Sequence, residues 1–319
     1  MITNPRILNL EPEGYSSKAR AVLQRIGEVY DGPMNRAQLL EWIGGYDVLI
    51  VRLGHRIDAP VMDSAQRLKT IVTATTGLNH IDMNEAQRRG IKVLSLQGER
   101  AFLDTIHATA EHTWALLLAL LRKLPHAHQH VLSGGWDRDL FKGRELHGRT
   151  LGIIGLGRLG TKVAGYGAAF GMRVVGYDIN RVHSGPTNLE TKDLDKVLSL
   201  SDVISLHVNY TPENHAMIGR KEISLIKPGA ILINTSRGDL LDEQALLEAL
   251  GSGHLGGAAL DVLCGEYAEW DASEGMLEYA RHHDNMIVTP HIGGCTLDSM
   301  EKTEMFMAKK LVTHLEKES

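Results

Sequence analysis

The chain has 319 residues, of which 43% are hydrophobic and 23% charged, and its formal net charge is −5. At roughly 150 residues per domain, that length predicts two domains of a soluble globular protein. No basic block stands against the negative balance, which argues against a nucleic-acid surface or an anionic membrane as partner and leaves a small molecule.

The opening stretch, MITNPRILNLEPEGYS, lacks both the cationic start and the continuous apolar core of a secretory signal, so a cytoplasmic location is expected. Four β-branched runs follow: RILNLE at 6–11, DVLIVR at 47–52, TIVTAT at 70–75 and IKVLSL at 91–96. Between them, SSKARAVLQRIG and APVMDSAQRLK have helical period. Such alternation predicts a parallel sheet covered by helices. Next comes ATAEHTWALLLALLRKLPHAHQHVL, apolar nearly all round over 114–121. The run is far shorter than the ~20 residues that cross a bilayer. It predicts a helix buried between the domains or against a second subunit. The second half repeats the alternation with TLGIIGLG, MRVVGYD, DVISLHV, ILINTS, GAALDV and NMIVTPHI, and 297–316 again reads as helix. Two α/β units in one chain are therefore expected, with no short repeat or low-complexity linker; the GGW at 134–136 is the nearest thing to a hinge.

In GIIGLGRLG, residues 152–160, Gly155, Gly157 and Gly160 fit G-x-G-x-x-G. The first allows a tight turn, the second lets backbone approach a pyrophosphate, and the third lets helix pack on strand. The phosphates then meet the amides of the following helix, expected over 159–170. About twenty residues on, MRVVGYD ends in Asp178, an acid placed to accept the ribose hydroxyls and repel a 2'-phosphate, so NAD is expected over NADP. Arg181 is the one nearby residue that argues the other way.

Ligands of open α/β sheets bind beyond the carboxyl ends of strands. ILINTS is followed by Arg237, whose guanidinium can hold a carboxylate while polarising an adjacent carbonyl. GAALDV holds Asp261, with Glu266 five residues later. NMIVTP is followed by His291, which can give a proton to a ketone oxygen as hydride arrives at carbon. A carboxylate on its other ring nitrogen would fix the tautomer.

These residues resemble the D-isomer-specific 2-hydroxyacid dehydrogenases, which include phosphoglycerate, glycerate, D-lactate and formate dehydrogenases. The resemblance runs over about 47–294, through TTGLNHID, TAEHTWALLLAL, GRTLGIIGLGRLG, HVNYTPENHAMI, INTSRGDLLDE, GAALDVLCGE and TPHIGG. It implies an α/β chain in which a Rossmann-type dinucleotide-binding domain (105–291) is inserted into a discontinuous, flavodoxin-like substrate domain (1–104 plus 292–319). The late glycine turn then follows from that insertion, and the active site is expected in the cleft between domains. The resemblance also implies NAD as cofactor, Arg237 as the substrate-binding arginine, Glu266 as the acid that orients the histidine, His291 as proton donor, and Asp261 at the nicotinamide end. Arg158 and Leu159 of the turn, with His207 and Thr235, are expected on the cofactor side. Main-chain N–H groups of Thr76, Gly77 and Leu78 are expected to hold the substrate carboxylate. Arg52, with His55 and Arg56, follows a strand end and is expected to meet a phosphate or further carboxylate, or solvent. The helix around Trp114 resembles the segment through which family members dimerise, so a homodimer or higher homo-oligomer is expected.

The chain departs from the family pattern at Asn79-His80, where Asp-Asn is common, at Asn209-Tyr210, where Pro-Leu is usual, and at Tyr267, where proline is common. The first and third bear on the substrate rather than the chemistry. No metal is expected: His126, His128 and His130, and the pair His282 and His283, lack further ligands at suitable spacing. Cys264 and Cys295 read as ordinary thiols. The leading expectation is a phosphoglycerate dehydrogenase-like enzyme that interconverts a 2-keto acid and a D-2-hydroxy acid. The alternatives are an NADH-sensing protein of the corepressor type, which the lack of a long disordered tail argues against, and a dehydrogenase of a one-carbon or inorganic donor such as formate or phosphite. Feedback through a regulatory amino-acid-binding domain is not expected, because no such extension follows Ser319.

Overall fold

The computed structural model describes residues 4–32, 34–180, 189–266 and 274–317. The chain divides into two units, Met1–Ile106 with Cys295–Ser319, and His107–Gly294.

In the first unit, strands β1 (Arg6–Asn9), β2 (Glu28–Asp31), β3 (Val48–Ile50), β4 (Thr70–Val72) and β5 (Lys92–Leu94) form one sheet. Their order is β2-β1-β3-β4-β5 and every pairing is parallel, the flavodoxin-like arrangement. The inner strands are apolar on both faces because helices cover both. The pleat sends Leu8, Leu49 and Ile71 to one core with Leu39, Ile43 and Val61, and Ile7, Val48, Ile50 and Val72 to the other with Leu23. Side-chain caps start the covering helices: Ser16, Asn35, Asp58 and Asp82 each accept an amide of the first turn. The chain returns as the helix Leu297–Lys317, whose stripe of Thr303, Glu304, Met307, Ala308 and Leu311 closes the second of these cores. Lys310 pins it there through Ser95 O (2.8 Å) and Glu99 (2.6 Å).

The second unit holds β6 (Thr150–Ile154), β7 (Arg173–Tyr177), β8 (Leu189–Thr191), β9 (Val203–Leu206), β10 (Ala230–Asn234), β11 (Leu255–Leu260) and β12 (Met286–Val288). All pair in parallel, in the order β12-β11-β10-β9-β6-β7-β8. The strand order reverses between β6 and β9, which makes their carboxyl ends the topological switch point of a Rossmann sheet.

The apolar helix forms over Ala108–Leu121. It packs on the sheet of its own unit. Trp114, Leu117, Leu120 and Leu121 share a core with Ile153, Ile231, Ile233 and Ala259, and Trp114 stacks on Phe170 with centroids 4.6 Å apart. Its all-round apolar surface has neighbours on both sides, the sheet below and the helix Arg158–Ala169 alongside. Lys123 at φ 51° breaks the chain direction, and Pro125 sits in the first turn of a new helix, Leu124–Leu132. Proline starts that helix rather than ending the previous one, since its missing N–H is an orphan there anyway.

Candidate active site

In the second unit each parallel strand delivers its following residues to one edge of the sheet. After β6, Gly155 turns at φ +95°, and a Cβ there would stand 2.6 Å from His207 O. A Cβ at Gly160 would stand 1.9 Å from Gly155 O, so only hydrogen allows this helix to start so close to the strand. At Gly157 a Cβ would meet nothing within 4 Å. Its side is open, and the amides of the first turn, at Arg158, Leu159 and Gly160, belong to that end of the helix. These three positions fit a bound pyrophosphate: strained turn, open face, tight packing.

Asp178, after β7, accepts the Leu156 amide on Oδ2 (2.7 Å) and the Asn180 amide on Oδ1 (2.8 Å). The acid therefore braces the glycine turn. Arg181 and Tyr267 lie outside the described residues. His207, after β9, shares a hydrogen bond with Ser205 Oγ (2.8 Å), and burial pushes its pKa down to about 3. A ring that stays neutral at physiological pH is no general acid. Thr235, after β10, is buried and bonded to Thr113 Oγ1 (2.9 Å).

Arg237 sits on a turn that Asn234 builds. Asn234 is fully buried, accepts the Ser236 amide (3.0 Å) and donates to Arg237 O (2.7 Å), while Arg237 Nη1 donates to Ser236 O (2.5 Å). Gly238 follows, and a Cβ there would lie 2.0 Å from Leu263 C and 2.2 Å from Cys264 N. The backbone of 263–264 thus rests directly on the arginine turn, two residues before Glu266. Burial pushes the Cys264 thiol up to about 11, with the Asp239 carboxylate adding to it, which suits an inert thiol.

His291 stands after β12 in the left-handed region at φ 53°, with its amide shared by Asp261 O (2.9 Å) and Thr289 O (3.0 Å). Its Nδ1 lies 2.8 Å from Glu266 Oε1. Asp261 holds this segment in place. Its Oδ1 accepts Thr289 Oγ1 (2.6 Å) and the Ile292 amide (2.9 Å), with His112 Nε2 at 3.2 Å, and its Oδ2 accepts the Gly293 amide (2.7 Å). Burial works against the charge, but hydrogen bonds from His112, Thr289 and the two amides outweigh it and hold the carboxyl below its ordinary value. Asp261, expected at the nicotinamide end, is thus chiefly a clasp for the histidine loop, with acceptor capacity left on Oδ2 alone. His112 and Asn234 are the two positioning residues that reading strand ends overlooked. Each is a polar side chain inside or beside an apolar run, which is the signal that would have found them.

In the first unit, Thr76, Gly77 and Leu78 follow β4 on a loop where Thr75 Oγ1 donates to Gly77 O (2.8 Å). Arg52, after β3, requires a correction. Its guanidinium donates to Glu11 Oε2 (3.2 Å), Glu304 Oε1 (3.2 Å), Glu11 O (3.2 Å) and Glu13 O (3.3 Å). Glu304 is only 2% exposed, and a carboxylate buried that deeply needs a cation. Arg52 is committed to that need rather than to a substrate anion.

Among the described residues no three His, Cys, Asp or Glu side chains gather as a metal site, and no helix is long and apolar enough to cross a membrane. A groove of about 630 Å³, lined by His126, Ser252, Tyr279, His282 and Asp284 among others, lies at the amino ends of β11 and β12, the opposite edge of the sheet.

Residues 114–293 match the family model described as "D-isomer specific 2-hydroxyacid dehydrogenase, NAD binding domain". The chain is 37% identical over 294 residues to the D-3-phosphoglycerate dehydrogenase of Methanocaldococcus jannaschii, which covers 91% of this chain and 54% of that protein. It therefore spans about half the length of the phosphoglycerate dehydrogenases it matches. It is 36% identical to the glyoxylate reductase of Thermofilum pendens, over 92% of this chain and 85% of that one. The crystal structure of Aquifex aeolicus D-lactate dehydrogenase complexed with NAD and lactic acid superposes with a TM-score of 0.83 at 31% identity, covering 98% and 95% of the two chains.

Proposed function

The chain belongs to the D-isomer specific 2-hydroxyacid dehydrogenase family, and from that premise we propose that it interconverts a 2-keto acid and its D-2-hydroxy acid with NAD. The observation that carries the reading is the pair of His291 and Glu266, 2.8 Å apart through Nδ1. An ionised carboxylate only accepts, so Nδ1 carries a proton and Nε2 is the nitrogen that gives and takes one. In the direction of reduction, the imidazolium donates Nε2–H to the ketone oxygen; in oxidation, neutral Nε2 accepts the hydroxyl proton. Glu266 fixes the tautomer and offsets the positive charge. Arg237 binds the substrate carboxylate and polarises the 2-oxo group, and on the same reading the main-chain N–H groups of 76–78 are carboxylate-binding. When bound, the nicotinamide supplies or accepts the hydride. Gly155, Gly157 and Gly160 admit its pyrophosphate, and Asp178 sets the preference for NAD over NADP.

The working form on this reading is a cytoplasmic homodimer. Leu124, Val131, Leu132, Trp136 and Leu140 are large apolar side chains left in water within 17 residues of chain, a density that marks an interface.

Oxidation of NADH and of NADPH, followed optically against glyoxylate, hydroxypyruvate, pyruvate and 3-phosphohydroxypyruvate, tests the assignment. Turnover of one acid with NADH preferred is expected, and His291→Gln should lower kcat by about 10²–10⁴-fold with NADH binding retained. Near-normal turnover by that variant would remove His291 from the chemistry. Tight NADH binding with no turnover of any acid would favour a redox-sensing protein.

A further inference from the structure

Behind the loop 76–78 runs a line of hydrogen-bonding groups that lies wholly within the first unit. Thr75 Oγ1 donates to Gly77 O at 2.8 Å, Thr73 Oγ1 lies 3.0 Å from Thr75 Oγ1, and His80 Nε2 lies 3.3 Å from Thr73 Oγ1. Thr73 and His80 are buried, at 0% and 1% exposure, where water does not replace a lost partner.

Counting protons gives the line a direction. A threonine hydroxyl has one hydrogen. Thr75 spends its own on Gly77 O, so it must accept from Thr73. Thr73 has then spent its hydrogen as well, so it must accept from His80. The ring nitrogen that faces Thr73 is therefore protonated: His80 donates from Nε2.

The line also sets the orientation of one peptide. No peptide bond in the described chain is cis, and in a trans peptide the N–H points away from the C=O. Holding Gly77 O toward Thr75 turns the Leu78 N–H to the other side. That N–H is one of those assigned above to the substrate carboxylate.

We propose that His80 is a positioning residue, which through Thr73 and Thr75 holds the loop 76–78 in the orientation that binds a substrate carboxylate. The inference rests on the proposed reaction for the role of the loop, while the relay itself stands on the geometry. His80 occupies a position where asparagine is common in the family.

Two measurements test it. In protein labelled with ¹⁵N-histidine, with the His80 signal assigned from its absence in His80→Gln, long-range ¹H–¹⁵N spectra should show Nε2 protonated. A ring protonated on Nδ1 alone overturns the relay. In steady-state assays with the keto acid that the wild type reduces, His80→Leu should raise KM about tenfold while kcat stays within about twofold and NADH affinity is unchanged. His80→Gln, which returns an amide N–H near the Nε2 position, should recover most of the loss. An unchanged KM in His80→Leu overturns the inference, as does a parallel loss of kcat, KM and NADH affinity that His80→Gln fails to rescue. A wild type that reduces no keto acid would instead count against the proposed reaction, and the tautomer would still decide the relay.

Discussion

His207 shows how burial decides what a histidine does. Its Nε2 is engaged by Ser205 and its Nδ1 is out of contact with water, so the charged form is penalised and the pKa falls from 6.5 to about 3. A lowered folded-state value means that below pH 6.5 the unfolded chain takes up a proton which the native chain refuses. Stability from this group is thus untouched above pH 6.5 and declines steadily as pH falls toward 3. Between pH 7 and pH 5 the decline should reach about 2 kcal/mol. Urea unfolding at both pH values, compared between wild type and His207→Gln, isolates that share; parallel losses in the two proteins would show the ring to be accessible to protons. The same paired design cancels other groups that titrate in this range. Residues such as His291, Glu266, Arg237 and Asp178 could be picked out in advance because each stands at or shortly after the end of an apolar run. The partner of His112 could not, because Asp261 lies 149 residues away from it. Arg52 misled for the same reason, since Glu304 lies 252 residues from it.

Among elements, legibility followed burial. The inner strands, covered on both faces, read as apolar runs. The two strands that escaped notice, β2 with EVYD and β8 with LET, are both sheet edges with mostly exposed or half-buried side chains, and an edge needs no apolar pattern to pair. Glycines divide in a similar way, by what surrounds them rather than by motif. Gly238 carries the backbone of 263–264 against its α-carbon. Neither side of that contact is a flexible side chain, so Gly238→Ala should cost about 2–3 kcal/mol and displace the arginine turn from the loop that carries Glu266. Gly165, inside the helix Arg158–Ala169, would meet nothing within 4 Å, and Gly165→Ala should instead add up to about 1 kcal/mol through helix propensity. Unfolding midpoints of the two variants, with kcat for the first, check the pair. A Gly238→Ala protein as stable and active as wild type would mean that the turn and the loop can part without consequence.

At the scale of the whole molecule, two α/β units were visible from alternation alone, but their nesting was not, because no compositional seam marks where a chain leaves a unit or returns to it. The resemblance to a family supplied that order, and the helix Leu297–Lys317 closes a core laid down nearly three hundred residues earlier. The apolar surface left over is equally informative. The helix Leu124–Leu132 has no buried residue, yet Leu132 is 66% exposed and Trp136 89%. Residues of this kind are the usual anchors of interfaces, and charge placed on them is costly once they are covered. If a second copy covers them, Leu132→Glu combined with Trp136→Glu should weaken self-association by about two orders of magnitude or more, while NADH binding per chain is kept. Sedimentation velocity over a range of concentrations reads both proteins directly. A wild type that sediments as a monomer throughout would assign the exposed row to another partner, whereas a dimer unmoved by the double substitution would place the interface elsewhere on the chain.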